Sequence, residues 1–128
     1  MSKESTAKLP LIDTDSLCGQ IIEAIQDIKG KNIVKLDLRK LDDGPTDLFI
    51  ICEGESTTQV NAIASNIQKK LRKDYGVKPF HVEGVRESKW ILVDYFEVIV
   101  HVFYPETRKY YDIEDLWSDG DFTEYQDL

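Results

Sequence analysis

The sequence predicts an α/β protein: a single compact domain with a mixed five-stranded sheet flanked by helices. Two observations carry that reading. Apolar residues recur at helical spacing in two segments and at strand spacing, or in unbroken β-branched runs, in five others. The two kinds are interleaved along 128 residues, a length suited to one domain. The strongest strand signals are the neighbouring runs Trp90-Ile91-Leu92-Val93 and Val98-Ile99-Val100-His101-Val102-Phe103. They are apolar on both faces, so at least one belongs in the middle of a sheet covered on both sides.

Residues 1–12 read as a flexible arm. Asp13 or Thr14 caps a helix over residues 15–29, with Leu17, Ile21, Ile25 and Ile28 along one face, Cys18 and Ile22 widening it, and Gly30 ending it. In residues 33–38, Val34, Leu36 and Leu38 alternate with Lys35 and Asp37, the pattern of a strand with one solvated side. Residues 41–45 are turn chemistry, and Leu48-Phe49-Ile50-Ile51-Cys52 is a strand apolar on both faces. Ser56 and Gln59 form a capping box for a helix over 57–75, packed through Val60, Ile63, Ala64, Ile67 and Leu71 and closed by Gly76. Residues 77–82 give a third strand, which Pro79 confines to an edge. The two apolar runs then form an antiparallel hairpin around Tyr95-Phe96. Pro105 starts a short helix to residue 110, and Asp112 caps a further turn reaching Trp117.

The net charge is -8, and seven of the 24 acids fall between Asp112 and Leu128, where there is no Lys or Arg. The rest of the chain holds 17 acids against 16 bases. Residues 1–111 are therefore nearly neutral and the C-terminus is an acidic arm; the domain is read over residues 13–118, followed by an acidic tail over residues 119–128. Such a chain lacks the basic footprint of an autonomous nucleic-acid binder. Near nucleic acid it is expected to touch a basic protein. No apolar run approaches the roughly 18 residues of a membrane span, and the N-terminus lacks the apolar centre of a secretory signal. Cys18 and Cys52 have no metal-ligand spacing and read as small buried hydrophobes in a reducing, cytoplasmic setting.

Candidate chemistry is sparse. Gly54-Glu55-Ser56 lies between a strand and a helix, where a phosphate can meet helix N–H groups. It has none of the glycine spacing of a phosphate loop, and Glu55 repels an anion, so a structural turn is expected. Asp94 and Glu97, with Asp47, offer carboxylates for a divalent cation and phosphoryl transfer. No basic residue is placed to hold a triphosphate, so turn formation, capping or contact with a basic partner is expected there. His101 reads as a satisfied, partly buried histidine. His81 lies twenty residues earlier, and two histidines with two mismatched cysteines make no zinc site. No Ser-His-acid set stands out. No catalytic residue, metal or cofactor is assigned.

Trp90, Tyr95 and Phe96 group at the hairpin, and Tyr104, Tyr110, Tyr111 and Trp117 form a second group downstream. Tyr95-Phe96 in a tight link is hard to bury completely. Aromatics beside acids on a sheet margin are the ingredients of a protein–protein hot spot. The residues favour a binding module over an enzyme.

Over residues 14–118 the chain resembles the Iojap family, the bacterial ribosomal silencing factors and their organelle relatives. The matching positions are Asp47 with Leu48-Phe49-Ile50-Ile51-Cys52, the run STTQVNAI from Ser56 to Ile63, and Glu83-Gly84. They continue with Trp90-Ile91-Leu92-Val93-Asp94-Tyr95, the run from Val98 to Phe103, and RKYYDIEDLW from Arg108 to Trp117. Thr58 stands where members often carry Arg, and Phe96-Glu97 replaces a usual Gly-Asp. The resemblance implies a nucleotidyltransferase-like fold without catalysis. It also implies binding to the large ribosomal subunit through the subunit's protein number fourteen, obstruction of small-subunit joining, and lowered translation when nutrients are scarce. Organelle relatives assist large-subunit assembly, which is the alternative role, with a metal-dependent nucleotidyltransferase as the more distant one. Carried onto this sequence, the resemblance implies a contact area of Trp90, Asp94, Tyr95 and Glu97 and a homodimer in the free state.

Overall fold

The structure, a computed structural model, describes residues 12–128. The arm expected over residues 1–12 lies outside it except for Ile12, which packs against the core. Helix α1 (Thr14–Asp27) begins where Asp13 Oδ1 accepts the Ser16 N–H at 2.8 Å. It stops short of the expected residue 29. Lys29, not Gly30, takes the left-handed turn at φ 61°. Gly30 serves close approach instead, since a Cβ there would sit 2.3 Å from Ile25 Cγ2. Strands β1 (Lys31–Asp37) and β2 (Leu48–Glu53) follow. Helix α2 (Thr57–Tyr75) has one half of the expected capping box, Ser56 Oγ accepting the Gln59 N–H, while Gln59 Oε1 reaches one residue past the cap and accepts the Glu55 N–H.

Strand β3 (His81–Glu83) is an edge strand, as Pro79 requires, but shorter than expected because a proline has no N–H for the ladder. Strands β4 (Trp90–Asp94) and β5 (Val98–Phe103) form the antiparallel hairpin. Two short helices, α3 (Pro105–Tyr111) and α4 (Ile113–Leu116), meet at Asp112, whose side chain makes no cap bond and whose φ is 45°. The chain then returns to the sheet as β6 (Asp121–Tyr125), antiparallel to β1.

The sheet therefore has six strands, not five, in the order β3-β4-β5-β2-β1-β6, and β2 and β5 form its parallel pair. The added strand comes from the segment read as an acidic tail. Its acids point to solvent while its backbone completes the ladder with β1, and it is held by contacts of its own. Lys40 Nζ pairs with Asp121 at 2.9 Å, Gln26 Nε2 donates to the Gln126 carbonyl, and the Asn32 N–H donates to Asp127. Gly120 permits the entry, because a Cβ there would lie 2.7 Å from Leu36 Cδ1.

Helices α1 and α2 cover one sheet face, packing Ile21, Ile25, Ile63 and Ile67 against Ile50, Cys52, Ile91, Val93, Val100 and Val102. Each such side chain contributes about 1.5–3 kcal/mol on burial. The opposite face holds a smaller cluster of Leu36, Leu38, Phe49, Ile51 and Phe103, closed by Ile113 and Trp117. Toward β3 that face opens: Leu92, Asp94 and Ile99 are half-buried, and His81 and Glu83 are exposed.

Candidate functional site

Alternation along each strand puts one set of side chains on the open face, and the register sorts them into rows. His81, Asp94, Ile99 and Phe49 are successive cross-strand neighbours; Glu83, Leu92, His101 and Ile51 form the next row; Trp90 and Phe103 pair in a third. The result is an apolar strip of Leu92 and Ile99 bordered by carboxylates and by the Trp90 indole. This composition suits contact with a basic protein better than contact with phosphate.

His101 lies beneath that strip, 5% exposed. Trp90 Nε1–H donates to His101 Nδ1 at 3.1 Å, so the neutral ring carries its proton on Nε2. Nε2 has no partner among the described residues, so the expected satisfied histidine is only half satisfied. Phe49 meets the ring edge-on at a centroid distance of 4.6 Å, and Phe103 stacks at 6.2 Å. Burial in this aromatic setting lowers the His101 pKa to about 4.

The unfolded histidine titrates near 6.5, so stability held by the neutral ring is full above that pH and declines as pH falls from about 6.5 toward 4. We expect wild-type stability, measured relative to His101→Leu, to fall by about 2 kcal/mol from pH 7 to pH 5. Urea denaturation at the two pH values checks this, and an unchanged difference would contradict a buried neutral ring.

The four contact candidates divide between two ends of β4, about 13 Å apart. Trp90 is half-buried at one end, stacked on Phe103 at 5.0 Å and touching Tyr111 at 4.8 Å. Asp94, Tyr95 and Glu97 sit at the other, in the hairpin link. There the Glu97 N–H donates to the Tyr95 carbonyl at 3.1 Å, closing a three-residue turn around Phe96, whose φ is 78°. A turn of this hand is strained for any residue with a Cβ, at a cost of about 1–3 kcal/mol. Asp94 Oδ1 accepts the Phe96 N–H at 2.7 Å and Thr46 Oγ1 donates to the Phe96 carbonyl, fixing the link from both sides.

Tyr95 corrects the expectation that the link resists burial. It is 3% exposed, its ring belongs to the helix-side core, and its hydroxyl has no partner among the described residues. The reason is parity: Tyr95 continues the inward set of Ile91 and Val93. The exposed aromatic is Phe96, at 68%, beside Phe80 at 76%, with ring centroids 5.8 Å apart. The only sequence cue to Phe80 is its place after Pro79 on the way into an edge strand.

The alternative chemistries find little support in the geometry. Ser56 is occupied in capping α2. The carboxylates of Asp47, Asp94 and Glu97 form no group of three able to hold a metal, and no such group occurs among the described residues. Burial raises the Cys18 thiol to about 11 and the Cys52 thiol to about 12, which leaves neither as a ready nucleophile.

Residues 12–128 match the family model described as ribosomal silencing factor during starvation. The ribosomal silencing factor RsfS of Chromobacterium violaceum is 48% identical over 100 residues, which cover 76% of this chain and 78% of that protein. A crystal structure of a protein from the same organism superposes with a TM-score of 0.79 at 41% identity, covering 84% of this chain and 88% of that one. More distantly, a mouse protein named mitochondrial assembly of ribosomal large subunit protein 1 is 36% identical over 78 residues, 57% of this chain and 33% of its own length.

Proposed function

The chain belongs to the ribosomal silencing factor family, and from that premise we propose that it binds the large ribosomal subunit through the subunit's protein number fourteen and blocks joining of the small subunit. It thereby represses translation in the cytoplasm under nutrient limitation. The observation that carries this reading is the open face of β3–β5, where half-buried Leu92 and Ile99 lie between acids and the Trp90 indole. Aromatic and aliphatic anchors supply affinity there, and Asp94 with Glu97 steers a basic partner. Tyr95 serves from within, its buried ring fixing the link that carries Asp94 and Glu97. On this reading the scaffold is nucleotidyltransferase-like but used for docking, and the relatives carry regulatory rather than enzymatic names.

We expect purified protein to co-sediment with large subunits, not with free small subunits, and to reduce the formation of joined ribosomes. Sucrose gradients with and without added protein measure both effects. Undiminished joining at saturating occupancy would remove the obstruction mechanism. The name of the mouse relative favours a second reading, assembly of the large subunit. It would appear as accumulated large-subunit precursors on deletion. A homodimer of the free protein through the same face completes the proposal, with the ribosomal partner displacing the second copy.

A further inference from the structure

We infer, resting on the ribosome-binding reading, that Phe80 and Phe96 form an aromatic clamp for an arginine side chain of the basic partner, extending the docking surface beyond the sheet face. Three observations carry it. The first is the backbone. Phe96 holds a left-handed φ of 78° in a closed three-residue turn, a conformation that glycine adopts without strain, yet it presents a large ring. A strained aromatic whose ring lies mostly in solvent gains little for the fold in return, which points to a use outside it.

The second observation is placement. The Phe96 and Phe80 rings sit 5.8 Å apart and tilted by 57°, both mostly exposed, along a groove of about 380 Å³ that Glu97 and the buried Tyr95 also line. Two aromatic faces beside a carboxylate can receive a guanidinium, by cation–π attraction on the rings and by an ion pair with the acid.

Charge is the third. Thr46 ties the loop before β2 to the Phe96 carbonyl and the Leu48 N–H donates to the Glu97 carbonyl, so Asp47 adjoins the link that carries Asp94 and Glu97. None of these three acids is in an ion pair among the described residues. Among the described residues, Lys78 is the one cation lining the groove. This surplus disfavours RNA, whose phosphates it repels. At the groove it equally disfavours a second copy of a chain carrying a net charge of -8, so the proposed dimer is left to the apolar strip of Leu92 and Ile99.

The test is Phe96→Gly, which removes the ring and relieves the turn. Five quantities are measured for it and the wild type: melting temperature, affinity for large subunits, affinity for a hexa-arginine peptide, affinity for an oligouridine probe, and self-association in sedimentation. The expected result is an unchanged or higher melting temperature, large-subunit binding weaker by roughly tenfold or more, and peptide binding weaker by about threefold or more. Glu97→Gln should weaken the peptide in the same direction. Unchanged peptide affinity in Phe96→Gly overturns the clamp. So does a loss seen only with an oligouridine probe, or a loss only of self-association in sedimentation. Wild-type protein that fails to bind large subunits would remove the ribosome reading, and the peptide arm alone would then decide the clamp.

Discussion

Arg108→Ala is expected to cost about 3–5 kcal/mol of folding stability, more than any surface substitution in the domain. Arg108 is 8% exposed. Its guanidinium grips Glu114 with two bonds of 2.9 Å, while Nη1 donates to Glu53 at 3.0 Å and to the Asn32 carbonyl at 2.8 Å. One side chain thus joins α3 to α4, to the end of β2, and to the start of β1, where Asn32 has a φ of 51° at an irregularity in the ladder. Truncation leaves two largely buried carboxylates without their cation and the Asn32 carbonyl without that donor. Arg108→Lys recovers only part of the loss, because an ammonium cannot match the planar fork. Urea denaturation of both variants gives the result. A loss below about 1 kcal/mol for Arg108→Ala would show that the network adds little beyond an exposed pair. The consequence reaches the docking surface: with α3 loosened, Tyr111 no longer backs the Trp90 indole.

Much of this architecture is legible in the sequence because burial leaves a periodic trace. The stripe from Val60 to Leu71 names α2, and the two apolar runs name β4 and β5. Asp13, Ser56 and Gly76 mark helix ends through bonds and conformations local enough to read from residue type. Strand β6 escapes the same reading because it buries almost nothing. Asp121, Phe122, Thr123 and Glu124 are all exposed, and the strand is held by the β1 backbone and by Gly120 slipping past Leu36. Partnership of that kind depends on what lies beside the segment rather than on what it contains.

The site shows the same division. The hairpin and its flanking acids follow from turn chemistry and alternation. The inward aim of Tyr95 follows from strand parity, although its place in a link obscures this. The hydrogen bond between Trp90 and His101 spans two strands, and the approach of Phe80 to Phe96 joins a loop to a hairpin link. Both depend on register, which the composition of either segment leaves open.

Trp90 is where contact and fold must be separated, and two substitutions do so. Trp90→Ala is expected to lose about 3 kcal/mol of stability, the low end for an aromatic truncation, since the indole is half-buried against Phe103 and Tyr111. Its effect on binding would mix lost contact with lost order. Trp90→Phe keeps an aromatic surface for stacking but removes the indole N–H. Among the described residues, His101 Nδ1 then joins Nε2 without a partner, at about 1–2 kcal/mol. If the indole anchors the ribosomal partner, Trp90→Phe should weaken affinity for large subunits by about 2 kcal/mol at a temperature where the variant remains fully folded. Thermal unfolding, with titration against large subunits at that temperature, reads the two effects apart. Should affinity stay intact while stability falls, Trp90 is a support that shields His101. The anchor must then be sought in residues 110–117, where Tyr110 and Leu116 are exposed.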